Sequence, residues 1–142
     1  MEKRRRPVRQ PLGALIRAAA ALVALAAFGS DATAACELPP GVRIDSERIS
    51  ISYWTIPDKI AVGQPFVLEL AACPKRGTPV AERAKMDAHK PEHRHGMNYR
   101  PTVVQQGTGR FHSEGWLFHM PGRWEFLFDL GNERLTHSVR IE

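Results

Sequence analysis

The chain has 142 residues, 43% of them hydrophobic, with 20 Lys and Arg against 15 Asp and Glu for a formal net charge of +5. Residues 1–34 carry +4 of that charge, so residues 35–142 are nearly neutral, and no arginine-rich stripe with interleaved aromatics marks them for nucleic acid. Residues 35–142 are enough for one small domain with one core and too few for two.

In chain order, residues 1–34 read as an export signal peptide. Lys3, Arg4, Arg5, Arg6, Arg9 and Arg17 form a basic region, AAAALVALAAFG (18–29) an apolar one, and Ala32, Thr33 and Ala34 a small-residue cleavage site. The apolar run is too short for a stable membrane span, so no span is expected after cleavage and the domain at 35–142 is expected in the periplasm. Cys36 and Cys73 are then bound for an oxidising compartment, where a disulfide is the default. The rival reading is a lipid anchor on Cys36, which follows two alanines as in a lipoprotein signal, although Thr33 stands where leucine is usual.

From residue 48 onward apolar residues alternate with polar ones. The spacing predicts strands over 48–55 (Ile49, Ile51 and Tyr53 inward), 66–73 (Phe66, Leu68, Leu70), 80–88 (Val80, Ala84, Met86), 102–106, 110–120, 123–130 (Trp124, Phe126, Phe128, Leu130) and 133–142. Turn signals separate them: Pro57-Asp58, Val62-Gly63-Gln64-Pro65, Lys75-Arg76-Gly77, Gly107-Thr108-Gly109, Pro121-Gly122 and Gly131-Asn132. About seven short antiparallel strands at this spacing predict an all-β, immunoglobulin-like sandwich, with a small barrel as the alternative.

Such strands place alternate connections at opposite poles. The connections at 56–65, 89–101 and 121–122 share one pole, whereas Cys36, Cys73 and the strand start at His112 fall at the other. MDAHKPEHRHGMNY (86–99) therefore meets the FHMPG turn (118–122). The first brings Met86, His89, His93, His95 and Met97; the second brings His119 and Met120, held beside a type II turn at Pro121-Gly122. Gly96 is expected to let the long loop double back. Imidazole and thioether together make a soft to intermediate donor set that favours copper, Cu(I) or Cu(II), over oxygen-seeking ions, and zinc rarely takes methionine. Met86 also has the phase of a core residue, and His137, in phase with Leu135, Val139 and Ile141, reads as a hydrogen-bonded core histidine. No nucleophile has a base nearby in sequence and there is no Gly-rich phosphate loop, so the chain does not read as an enzyme.

PEHRHGM (91–97) followed by GRFHSEGWLFHMPGRWEFLF (109–128) resembles the YtkA-like family of exported bacterial domains, over roughly residues 45–142. The resemblance implies an immunoglobulin-type sandwich and a place near copper-handling and FixH-type proteins. It carries over to His95, Met97 and Met120, whereas His89, His93 and His119 rest on this sequence alone. The combined expectation is a periplasmic copper-binding protein for transport, delivery or tolerance, with ligands His93, His95, Met97 and Met120 first and His119, Met86 and His89 in reserve. Its partner would be a copper-donor or copper-acceptor protein. The competing expectation is a metal-free accessory domain that docks a partner through an exposed sheet or through Trp54 and Trp116.

Overall fold

A computed structural model describes residues 36–142. The expected leader, residues 1–34, lies outside the described residues. Alternation decides nearly every element, because a pleated strand with apolar residues at every second position has one face to bury. The described residues form nine strands: β1 (Val42–Asp45), β2 (Ile49–Ile56), β3 (Pro65–Pro74), β4 (Ala84–Lys90), β5 (His95–Gly96), β6 (Thr102–Gly107), β7 (Arg110–Leu117), β8 (Gly122–Leu130) and β9 (Glu133–Ile141). They pair antiparallel in two separate sheets, ordered β1-β2-β3-β7-β6 and β5-β4-β8-β9, which decides for a sandwich over a barrel. With the short edge strands β1 and β5 set aside, β2-β3-β7-β6 facing β4-β8-β9 is the ABED and CFG arrangement of an immunoglobulin constant-type domain.

The inner faces meet through Ile51, Tyr53, Phe66, Leu68 and Leu70 on one side and Met86, Ala88, Trp124, Phe126 and Phe128 on the other. Burying each large side chain contributes roughly 1.5–3 kcal/mol, so this layer is the main source of stability. His137 joins its margin, with Nδ1 hydrogen-bonded to the Tyr53 hydroxyl at 2.6 Å. Burial pushes the Tyr53 phenol well above its ordinary pKa.

Four expectations need correction. β4 begins at Ala84 rather than Val80; Ala81 is buried and Val80 is 39% exposed, because the chain turns through Pro79 before the strand forms. The same strand runs on to Lys90. β7 stops at Leu117 and β8 lies in the other sheet, so residues 118–121 cross between sheets instead of closing a hairpin. Trp116, expected to help form an exposed docking surface, is fully buried. Its strand carries a bulge: Ser113 faces Leu68 while Trp116 faces Phe66, with Gly115 at φ 85°. The extra residue turns both Ser113 and Trp116 inward, and Trp116 Nε1 donates to Ser113 Oγ at 2.8 Å. Trp54 is half-buried on the outer side of β2.

Cys36 and Cys73 form a disulfide with Cα atoms 5.5 Å apart. The bond consumes the sulfur that a lipid on Cys36 would need. It fastens the segment before β1, where Ser52 Oγ donates to Pro39 O at 2.7 Å and Arg110 Nη2 to Glu37 O at 2.8 Å. The two cysteines are 37 residues apart, and a closed loop of that size stabilises by about 3–4 kcal/mol. The double variant Cys36→Ser/Cys73→Ser should therefore lose about 3–4 kcal/mol in a urea unfolding curve. An unchanged midpoint would show that the loop is already constrained without the bond.

Candidate metal centre

The connections after β2, β4 and β7 gather at one pole, and Gly63 N–H donates to Phe118 O at 2.8 Å to tie the first to the third. β4 reaches this pole at Lys90, and Pro91 ends it. A turn over 91–94 follows, with His93 N–H donating to Lys90 O at 3.1 Å and Arg94 in the left-handed region at φ 53°. The reversal thus lies at Arg94 and not at Gly96. Gly96 instead enters β5 opposite His89, and His95 stands opposite Lys90.

Sidedness then sorts the predicted ligands. Met86, Ala88 and Lys90 are the buried residues of β4, so His89 points to the outer face, where its Nε2 is 3.4 Å from Glu125 Oε1. His95, paired with Lys90, is on the inner side, and Met97 returns to that side two residues later while its N–H donates to Ala88 O at 3.3 Å. Met86 is 5% exposed and faces Phe128 in mid-strand. It is a core residue, four positions or roughly 13 Å along the strand from Lys90. The structure therefore separates His89 and Met86 from the other five residues.

His93, His95 and His119 form a row. Ring centroids are 5.7 Å apart between His93 and His95, and 5.6 Å between His95 and His119, which stack at 27°. Trp124 closes the row from below, 6.4 Å from His95 and 5.5 Å from His119, both edge to face. Trp124 Nε1 donates to Met120 O at 2.9 Å, which fixes the crossing that carries His119. Met97 and Met120 are both half-buried against the core. Two imidazoles sharing a metal at about 2.0–2.1 Å per nitrogen have centroids roughly 5–6 Å apart, the spacing of this row. Among the described residues, however, no group of three or more His, Cys, Asp or Glu side chains is arranged to hold a metal ion. His95 and His119 stack while His93 is tilted at 46° to His95, so the three rings do not share one arrangement.

One atom stands out chemically. His119 Nδ1 is buried and has no hydrogen-bond partner. Buried polar atoms are nearly always paired, and leaving one unpaired costs about 1–3 kcal/mol. In the tautomer that carries its proton on Nε2, this nitrogen presents a lone pair with no hydrogen-bond donor facing it.

Lys90 escaped the sequence reading. It is 2% exposed, its Nζ donates to Pro121 O at 2.8 Å, and it lies 5.9 Å from the centroid of Trp124. Glu92 Oε2 is 3.9 Å from the ammonium, and the other Glu92 oxygen is 3.5 Å from Arg123 Nε. The signal was present, since Lys90 continues the alternation of Met86 and Ala88.

No protein-family model, curated protein or solved structure matches the chain. Among the described residues, no helix is long and apolar enough to cross a membrane.

His112 lies apart from this pole, on the outer face of the β1-β2-β3-β7-β6 sheet. Its Nδ1 donates to Glu69 Oε1 at 2.6 Å and its Nε2 to Glu114 Oε1 at 3.0 Å. The hydrogen bond to Glu114, then that to Glu69, hold the imidazolium pKa above its ordinary value. A raised native pKa stabilises the fold fully below the unfolded value of about 6.5, and that contribution disappears as pH rises through the native value. Thermal melts at pH 5.5 and pH 8.5 should show His112→Gln losing less stability over this interval than the wild type. Equal losses in both proteins would remove His112 as the source.

Proposed function

We propose that this protein is an exported copper-binding protein that holds one ion at the β4–β5 and β7–β8 pole, for transport, delivery or tolerance. The observation that carries the proposal is the buried, unpartnered Nδ1 of His119, whose ring lies 5.6 Å from that of His95, with half-buried Met120 next to it in the chain and half-buried Met97 two residues beyond His95. A bound metal supplies the missing partner for that nitrogen. Two neutral imidazoles with one or two thioethers are a donor set for copper, because sulfur of this kind selects Cu(I) and imidazole accepts both oxidation states. His93, exposed at the outer end of the row, is an entry ligand rather than a resident one.

The leader-like residues 1–34 support export to the periplasm, and the disulfide is at home in that compartment. The likeness of PEHRHGM and FHMPGRW to the YtkA-like pattern supports a place near copper-handling proteins and a periplasmic donor or acceptor as partner. The proposed role is binding rather than catalysis, in keeping with a sequence in which no nucleophile has a base nearby.

Titration of the purified protein with Cu(II), and with Ag(I) as an air-stable stand-in for Cu(I), should give one ion per chain with sub-micromolar affinity and a change in Trp124 fluorescence. His119→Ala should weaken both ions at least tenfold, and Met97→Leu/Met120→Leu should weaken Ag(I) more than Cu(II). His89→Ala should change neither. Uptake no tighter than micromolar for either ion would sink the proposal in favour of a metal-free docking domain.

A further inference from the structure

We infer that the buried ammonium of Lys90 makes this pole selective for a monovalent over a divalent ion, so that the cargo is Cu(I). The inference rests on the copper site proposed above and assigns its oxidation state.

The chain is shaped around this ammonium. Lys90 is on the inner side of β4, directly across from His95. Gly122 has φ 108°, a conformation that side chains rarely adopt, and a methyl group there would collide with Lys90 Nζ. The Pro121 carbonyl accepts one N–H, and the Trp124 ring, 5.9 Å away, offers its electron-rich π system to the cation. The rings of His95 and His119 stand against that same Trp124. One indole therefore has the fixed cation and the candidate ligands as neighbours.

Any ion held by those imidazoles adds its charge next to a charge already in place. Repulsion grows in proportion to the ion's charge, so Cu(II) is penalised by one unit charge more than Cu(I). The other charges at this pole do not reverse the sign. Glu92 is the counter-ion, but its side chain is 53% exposed and shared with Arg123; Glu125 stands on the outer face beside His89, and Arg94 is a further cation on the same connection. For a separation on the order of 10 Å and an effective dielectric of about 20, one unit of charge amounts to about tenfold in affinity. The soft thioethers act in the same direction, but through bonding rather than through charge. The two effects are separable by mutation.

The test compares Ag(I) and Cu(II) affinities in wild type, Lys90→Leu and Glu92→Gln, with circular dichroism and a thermal melt on each. Intrinsic differences between the two metals cancel when each variant's affinity ratio is divided by that of the wild type. Lys90→Leu should raise Ag(I) affinity about tenfold and Cu(II) affinity about a hundredfold, so that the Cu(II) to Ag(I) affinity ratio rises about tenfold. Glu92→Gln removes the counter-charge from an exposed position without disturbing the slot, and should lower Cu(II) affinity several-fold more than Ag(I) affinity. It decides the question should Lys90→Leu fail to fold. Ratios equal to the wild type in the folded variants would overturn the inference while leaving the copper site standing. A wild type that binds neither ion would overturn the copper site, and the inference with it.

Discussion

The contact on which the candidate site's pole depends is the stack of Phe118 on Trp124, with ring centroids 4.5 Å apart and planes within 21°. Phe118 leaves the end of β7 in one sheet and Trp124 enters β8 in the other. The residues between them must therefore cross the sandwich at its rim. Both anchors are fully buried, so the crossing is held at each end by the core itself. Trp124 Nε1 donating to Met120 O and Gly63 N–H donating to Phe118 O complete the arch. His119 sits within this short arch and has little freedom of position. A loop histidine usually has much more. The aromatic pair adds about 0.5–1.5 kcal/mol beyond its buried area, which is modest for stability but decisive for where His119 stands.

Much of this was legible from alternation alone. Ile49-Ile51-Tyr53, Phe66-Leu68-Leu70 and Trp124-Phe126-Phe128 lie on the inner faces as their spacing predicts, since burial of one strand face is a local property of the sequence. What the pattern does not encode is any departure from period two. Gly115 inserts an extra residue into β7 and turns Trp116 inward, and nothing in RFHSEGWL distinguishes that bulge from a regular strand with an exposed tryptophan. β1 and β5, at four and two residues, are too short to show alternation. Pro121-Gly122 reads as a tight turn in either a hairpin or a crossing, because turn chemistry specifies local dihedral angles and not which sheet comes next.

The candidate site shows the same division between local and non-local information. Parity of strand direction brings the histidine-rich connection to the arch, and the stacking of His95 on His119 is that meeting at atomic scale. Residue type alone could not sort the seven donors. His89 and His95 belong to one histidine-rich stretch, yet antiparallel pairing of β5 on β4 directs them to opposite faces of the sheet. Met86 has the chemistry of a ligand and the phase of a core residue, and with Phe128 opposite, the phase prevails. Lys90 was hidden for the converse reason. A lysine is expected on the surface, and the alternation had to be followed two residues past Ala88 to bring it inside.

These features give a physical reason to place function at this pole rather than at the other. A buried ammonium and a buried imidazole nitrogen without a partner both act against folding, and each is cheaply replaced by an apolar residue if stability is the only demand. Here they fall within one aromatic neighbourhood, beneath the connection that carries His93, His95 and Met97. Other buried polar side chains of the sandwich are paired in ordinary ways: Ser52 to Pro39, Thr55 to Pro57, Ser113 to Thr102 and Trp116. Departures from local rules concentrate where a sequence serves something besides its fold. His119 is then the fixed element, set by the arch. His95, by contrast, is exposed on a two-residue edge strand, where less packing fixes its side-chain torsion.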